Sequence, residues 1–211
     1  IAMVLGPAVG LYALQAYGSS ILYLFLTIMT GMALVLSNTI RLPKELAKPK
    51  HKSMKGWHIS QFIEKRSLRW ALMGLFIGFT YSGVLVFIPI ELNSIGAGVW
   101  GSVFFALFAL MIIISRPLVG KIYARYGSRF VIYPGIILFI MGLAILGIGD
   151  TPVGIIGTAP LLGLGYGAAQ PAFQALAVQS APIERAGVST ATYFLALDIA
   201  VGAGSIILAM T

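Results

Sequence analysis

The chain has 211 residues, of which 59% are hydrophobic and 9% charged, with 14 Lys and Arg against 6 Asp and Glu and a net charge of +8. A mean hydropathy of +0.96, with a charged share far below the roughly 25% of soluble domains, excludes a water-soluble globular protein. The lack of cysteine excludes a disulfide framework, a thiolate metal site and a cysteine nucleophile.

The chain starts at Ile1 without a signal-peptide pattern and stops inside the apolar run IILAMT, so it reads as an excerpt of a longer protein. Apolar runs predict an all-α polytopic transmembrane bundle of seven spans, at 1–17, 20–40, 69–91, 98–118, 130–149, 153–179 and 187–211. In the first, Gly6, Pro7 and Gly10 punctuate the helix, and Tyr12 and Gln15 are candidate cavity residues. YGSS at 17–20 breaks it from the second.

The long link 41–68 carries Pro43, Pro49 and many lysines and reads as a flexible tether. Its last part, with Trp57, Ile59, Phe62 and Ile63, suits either an interfacial helix or a plain solvated linker. His51 and His58 fall in this tether and are expected to be solvated, so no metal site is expected. The span 69–91 then sets Gly74, Gly78 and Ser82 at i, i+4 and i+8, a spacing that lets helix backbones approach or slide, and adds Tyr81 to the cavity candidates.

After the span 98–118 comes GKIYARYGSR, a hydrophilic island that gathers Lys121, Arg125 and Arg129 between Gly120 and Gly127. A positive φ at Gly127 would give a tight reversal, and Gly120 would admit a neighbouring helix. The arginines are placed to bond carbonyls or carboxylates at adjacent helix ends, closing that rim in one conformation; the alternative is a plain charge anchor. In 153–179, Gly163 and Gly167 repeat the small-residue spacing, and Tyr166, Gln170, Phe173 and Gln174 share one broad helix face. Pro7 and Pro171 interrupt backbone donors inside spans.

Asp198 lies near mid-span in the last helix, where a charge costs about 2.5–3.5 kcal/mol. Burial raises a carboxyl pKa, so it is the candidate proton-coupling residue; the alternative is a hydrogen-bonded structural acid. No basic residue of the chain is expected at its depth, and its partner is expected from other helices. Glu91 and Asp150 are expected at the outer span ends.

Seven crossings place all 14 Lys and Arg on one side: nine from Arg41 to Arg69, four from Arg116 to Arg129, and Arg185. By the positive-inside rule that side, including 41–68, is cytoplasmic. The charge lies between spans, not on a folded basic surface with stacking aromatics, so nucleic acid is not an expected partner.

The island resembles the loop signature G-x-x-x-D-R-x-G-R-R of the major facilitator superfamily. Gly120, Arg125, Gly127 and Arg129 match, Ala124 and Ser128 depart, and Arg116 with Pro117 resembles the lead-in R-P-x-x-G. At the start, Gly6, Pro7 and Gly10 resemble the G-P-x-x-G-G motif of exporters in that superfamily, with Leu11 departing from its last glycine. GLGYGAAQPAFQA, ERAG and FLALDIAVGAGS look like the small-residue-rich tenth and eleventh helices of bacterial drug-efflux members.

The resemblance implies a partial major facilitator fold spanning helices five to eleven. Residues 1–40 would end the N-terminal six-helix half, 41–68 would be the cytoplasmic linker, and 69–211 most of the C-terminal half. It implies a secondary active transporter of the cell (inner) membrane, a proton-coupled drug/proton antiporter type that effluxes amphipathic small molecules by alternating access. Its partners would be the lipid bilayer, a small-molecule substrate and protons, with no cofactor. The rivals are an uptake symporter for a polar metabolite and a receptor or scaffold without transport; no residues recommend an enzyme.

Overall fold

The structure, a computed structural model, describes residues 2–39, 62–149 and 151–210. Most of the tether, including His51, His58, Trp57 and Ile59, lies outside the described residues, as does Asp150. The rest is helical: α1 (Ala2–Thr39), α2 (Leu68–Ser94), α3 (Trp100–Tyr126), α4 (Arg129–Leu146), α5 (Pro152–Gln179) and α6 (Ala186–Ala209), with 3-10 turns at Lys65–Ser67 and Ile183–Arg185.

Helix α1 is two helices meeting at Gly18, whose φ of 78° and ψ of 173° break the helical path where YGSS predicts a link. Six segments are long and apolar enough to cross a membrane: Ala16–Thr39, Lys65–Ser94, Trp100–Tyr126, Arg129–Leu146, Pro152–Gln179 and Ile183–Leu208. The first expected span, 1–17, is helical over residues 2–17.

Two boundaries correct the sequence reading. The island GKIYARYGSR is not a loop: α3 continues two turns past 118 to Tyr126, where Lys121, Ala124 and Arg125 favour a helix, and only Gly127 and Ser128 make the turn. The tether likewise ends before 68. Glu64 is buried, and Lys65–Ser67 already belongs to the helical end.

Helices α2 to α6 form one packed group, and its register is set by glycines. Against α6, a Cβ on Gly74 would lie 2.6 Å from the Tyr193 ring, and one on Gly78 would lie 2.8 Å from Leu197. Against α3, a Cβ on Gly163 would lie 2.6 Å from the Phe108 carbonyl oxygen, and one on Gly167 would lie 3.0 Å from the Ile112 Cα. Gly135 and Gly142 of α4 face α5 in the same way, at Ala168 and Leu162. Lipid offers no hydrophobic reason for helices to associate, so close backbone approach at small residues is what holds such a bundle. The stripes Gly74/Gly78/Ser82 and Gly163/Gly167 therefore pack as predicted, Ser82 facing Gly204.

Candidate functional site

The aromatic candidates assemble around α5. Tyr81 of α2 and Tyr166 of α5 stack with ring centroids 4.4 Å apart and planes 23° from parallel. Phe108 of α3 lies 5.8 Å from Tyr81 and 6.2 Å from Tyr166, and Phe139 of α4 lies 6.1 Å from Tyr166. Four helices thus contribute one ring each to a continuous cluster, in which Tyr81 stacks on Phe108 and Tyr166 while Tyr166 meets Phe108 and Phe139 tilted; aromatic pairs at such separations are worth about 0.5–1.5 kcal/mol beyond burial.

Gln170 and Phe173 sit one and two turns along from Tyr166, and both are buried. Gln174 is half-buried. The hydroxyl of Tyr193 donates to the backbone carbonyl of Gln170 at 2.9 Å, tying α6 to α5. Nothing in the pattern of α6 marked Tyr193. Its signal is Gly74 on another helix, whose missing side chain makes room for the ring.

The structure does not bring Tyr12 to this cluster. It is exposed and lines a separate cleft between α1 and α3, with Val9, Ala106, Leu110 and Ile113. Gly6, Pro7 and Gln15 lie within helical α1, but their side chains and surroundings are outside the described residues. Gly10 is half-exposed, with nothing within 4 Å of where a Cβ would stand.

At the basic end, Gly127 adopts a φ of 87° and a ψ of 176°, a region open essentially to glycine alone. This is the expected tight reversal. Gly120 departs from expectation, because a Cβ there would meet nothing within 4 Å, so it admits no neighbouring helix among the described residues. Arg125 lies over the ring of Tyr126 at 5.3 Å and Arg129 opens α4 exposed. Neither forms an ion pair among the described residues. The rim contact here is instead from the Tyr123 hydroxyl to Gln179 Oε1, at 3.1 Å.

A second polar assembly at the same end was hidden by the tether reading. Glu64 Oε2 pairs with Arg185 Nε at 2.5 Å, its backbone N–H donates to Thr192 Oγ1 at 2.9 Å, and Oε1 accepts from the Arg66 N–H at 3.2 Å. Beside it, the Ser67 and Ser189 hydroxyls both donate to the Ala177 carbonyl, at 2.8 and 2.7 Å. The starts of α2 and α6 and the end of α5 are clasped together, so these basic segments share one side.

Asp198 is exposed on α6, turned away from the face that buries Tyr193, Leu197 and Ala200, so the burial expected of it is not found among the described residues. It stands 12 residues into α6, about 18 Å along. Arg116 stands 10 residues before the end of α3, the last two turns of which are the polar island.

A family model described as the Major Facilitator Superfamily matches residues 1–205. No curated protein and no solved structure matches the chain.

Proposed function

Because the chain belongs to the Major Facilitator Superfamily, a family of multi-pass membrane transporters rather than enzymes, we propose that it is part of a proton-coupled exporter of amphipathic small molecules. In this reading residues 1–40 close the N-terminal half, the link from 41 to the buried Glu64 is the cytoplasmic linker, and the remainder to 211 forms most of the C-terminal half, in the cell (inner) membrane. The two halves rock about a central site, exposing it to each side in turn.

The observation that carries the coupling role is Asp198. It is the single charged residue of α6, exposed at mid-span depth, and ionisable groups within spans mark ion and substrate paths. Its exposed face leaves the carboxylate free to exchange a proton with whatever water the cycle admits. Protonation from one side and release to the other would drive the opposed movement of substrate.

The Tyr81–Tyr166 stack supports an aromatic wall for an amphipathic substrate. Tyr81, Tyr166, Gln170 and Phe173 are buried in this conformation, so this wall serves the substrate only where α2 and α5 part. The outward direction rests on Gly6, Pro7 and Gly10. Gly120, Arg125, Gly127 and Arg129 retain a gating role in this reading.

The test is pH-gradient-dependent flux of a fluorescent amphiphile by the full-length protein in proteoliposomes. Asp198→Asn should abolish gradient-driven accumulation while the protein elutes and melts as wild type. Undiminished coupling in that variant would remove Asp198 from the mechanism, and accumulation in the opposite sense would favour uptake.

A further inference from the structure

The arginines of the island stand in a setting unlike that of the other cations. From Trp100 to Leu146 the chain carries Arg116, Lys121, Arg125 and Arg129 and no Asp or Glu. Lys121, Arg125 and Arg129 are exposed, and none of them forms an ion pair among the described residues, whereas Arg185 has Glu64. This stretch therefore keeps its full positive charge.

Aromatic rings continue from that charge. The Arg125 guanidinium lies 5.3 Å from the centre of the Tyr126 ring, and the Tyr126 ring lies 5.8 Å from that of Phe130, with planes 53° apart. Tyr133 follows Phe130 by three residues on the same helix face, and Tyr126, Phe130 and Tyr133 are each more than half exposed. The exposed face of α4 then runs on through Ile137, Ile140 and Met141, while Gly135 and Gly142 hold the other face against α5. One surface thus passes from cations, through rings, to hydrocarbon.

The turn fixes where that surface lies. Trp100–Tyr126 and Arg129–Leu146 are both long and apolar enough to span, and only Gly127 and Ser128 join them. A two-residue link between two spans lies at a membrane surface, so Arg125 and Arg129, which flank it, lie at headgroup level. Tyrosine suits that level because its ring is apolar and its hydroxyl wet. Arginine offers a phosphate a flat fork of donors, and a guanidinium already resting on a ring loses less freedom when it binds. By the positive-inside rule this is the cytoplasmic surface, where the leaflet is anionic.

We propose that the α3–α4 turn binds an anionic phospholipid of the cytoplasmic leaflet, with Arg125 and Arg129 at its phosphate and Phe130, Tyr133 and Ile137 along its acyl chains. A zwitterionic lipid brings a cation of its own to this acid-free surface and is the poorer occupant. The site goes beyond the gating role of these arginines, and its occupancy is read without flux.

The experiment titrates the full-length protein in a neutral detergent with phosphatidylglycerol, phosphatidylcholine and glycerol 1-phosphate, counting bound lipid by native mass spectrometry. Phosphatidylglycerol should bind about tenfold tighter than phosphatidylcholine. Arg125→Gln with Arg129→Gln should weaken phosphatidylglycerol about twentyfold, or roughly fivefold per cation, and leave phosphatidylcholine unchanged. Lys65→Gln with Arg66→Gln removes the same charge from the start of α2 and should change phosphatidylglycerol affinity by less than about twofold. A phosphatidylglycerol with a photoreactive acyl chain, crosslinked to the wild-type protein, should label the start of α4.

Equal losses from the two charge-matched pairs, in variants that melt as wild type, would reduce the effect to diffuse attraction and overturn the proposal. Labelling spread evenly over the exposed helix faces would overturn it without recourse to any variant. Displacement of the lipid by an equal concentration of glycerol 1-phosphate would do so too, by marking a site for soluble phosphate.

Discussion

Glu64 and Arg185, 121 residues apart in the chain, form an ion pair with Nε and Oε2 2.5 Å apart that joins the start of α2 to the link between α5 and α6. The carboxylate is nearly enclosed while the arginine keeps 38% of its side chain exposed. The pair is therefore worth more than a surface bridge and less than a buried one. Glu64→Gln should lower stability by about 1–2 kcal/mol, read as an earlier thermal transition in detergent. Arg185→Gln should cost more than Glu64→Gln, because it leaves the enclosed carboxylate without its counter-charge, whereas glutamine at position 64 keeps an oxygen to accept the Arg66 N–H. A double-mutant cycle with strictly additive losses would show that the two side chains are not coupled.

The glycines separate into two kinds with opposite expected responses to alanine. At Gly165 a Cβ would lie 2.6 Å from the Phe139 backbone nitrogen and 2.7 Å from the Gly135 carbonyl oxygen, and backbone atoms of a neighbouring helix cannot yield without parting α4 from α5. Gly165→Ala should destabilise by about 1–3 kcal/mol. At Gly120, within α3 and with open space around its Cα, alanine should be neutral or stabilising by up to about 1 kcal/mol. Melting both variants in one detergent provides the contrast, and equal shifts would contradict the packing described.

Those two glycines also show where the sequence was legible. Span positions were readable because a hydrocarbon core demands about 20 apolar residues whatever the fold, and the sign of each link because cations gather on one side. Which face of a span turns inward was not, since lipid-facing and protein-facing residues are equally apolar; only small-residue spacing at Gly74/Gly78 and Gly163/Gly167 carried that information. The polarity of GKIYAR disguised two helical turns as a loop, and the charges around Glu64 disguised a buried acid as part of a tether. Helical spacing sets Tyr166, Gln170, Phe173 and Gln174 on one broad face, but that Tyr81 meets Tyr166, and Tyr12 does not, depends on which helices neighbour α5.

The Tyr81–Tyr166 pair separates ring from hydroxyl. Phenylalanine at either position retains the stack at 4.4 Å and should change stability by less than about 1.5 kcal/mol. Tyr166→Ala removes a ring in contact with three others and should cost about 3–5 kcal/mol. If the cluster also meets substrate, Tyr81→Phe should raise KM for a hydrogen-bonding amphiphile in proteoliposome flux while leaving KM for a hydrocarbon-like one unchanged. Identical kinetics for both substrates in Tyr81→Phe would confine the hydroxyl to packing.

Gly127 holds the reversal between α3 and α4 with a φ of 87° and a ψ of 176°. Alanine resists that conformation, at a cost of about 1–3 kcal/mol, although nothing within 4 Å would touch its Cβ. Gly127→Ala should therefore destabilise by backbone strain alone, and Gly127→Asn should lose about as much, because a ψ of 176° lies outside the left-handed helical region that asparagine tolerates. Full wild-type stability in the alanine variant would mean the turn relaxes to another geometry.

The orientation admits a test that the cysteine-free sequence makes unusually clean, since any introduced thiol is the sole target in the chain. Ser94, at the end of α2, and Ser128, between α3 and α4, lie at opposite ends of the bundle. With α2 starting at the basic side, Ser94→Cys should react with a membrane-impermeant maleimide added to intact cells. Ser128→Cys should react only after the membrane is opened. Labelling of Ser128→Cys from outside would invert the topology, placing Arg125 and Arg129 on the outer surface and reversing the direction in which Asp198 would take up and release its proton.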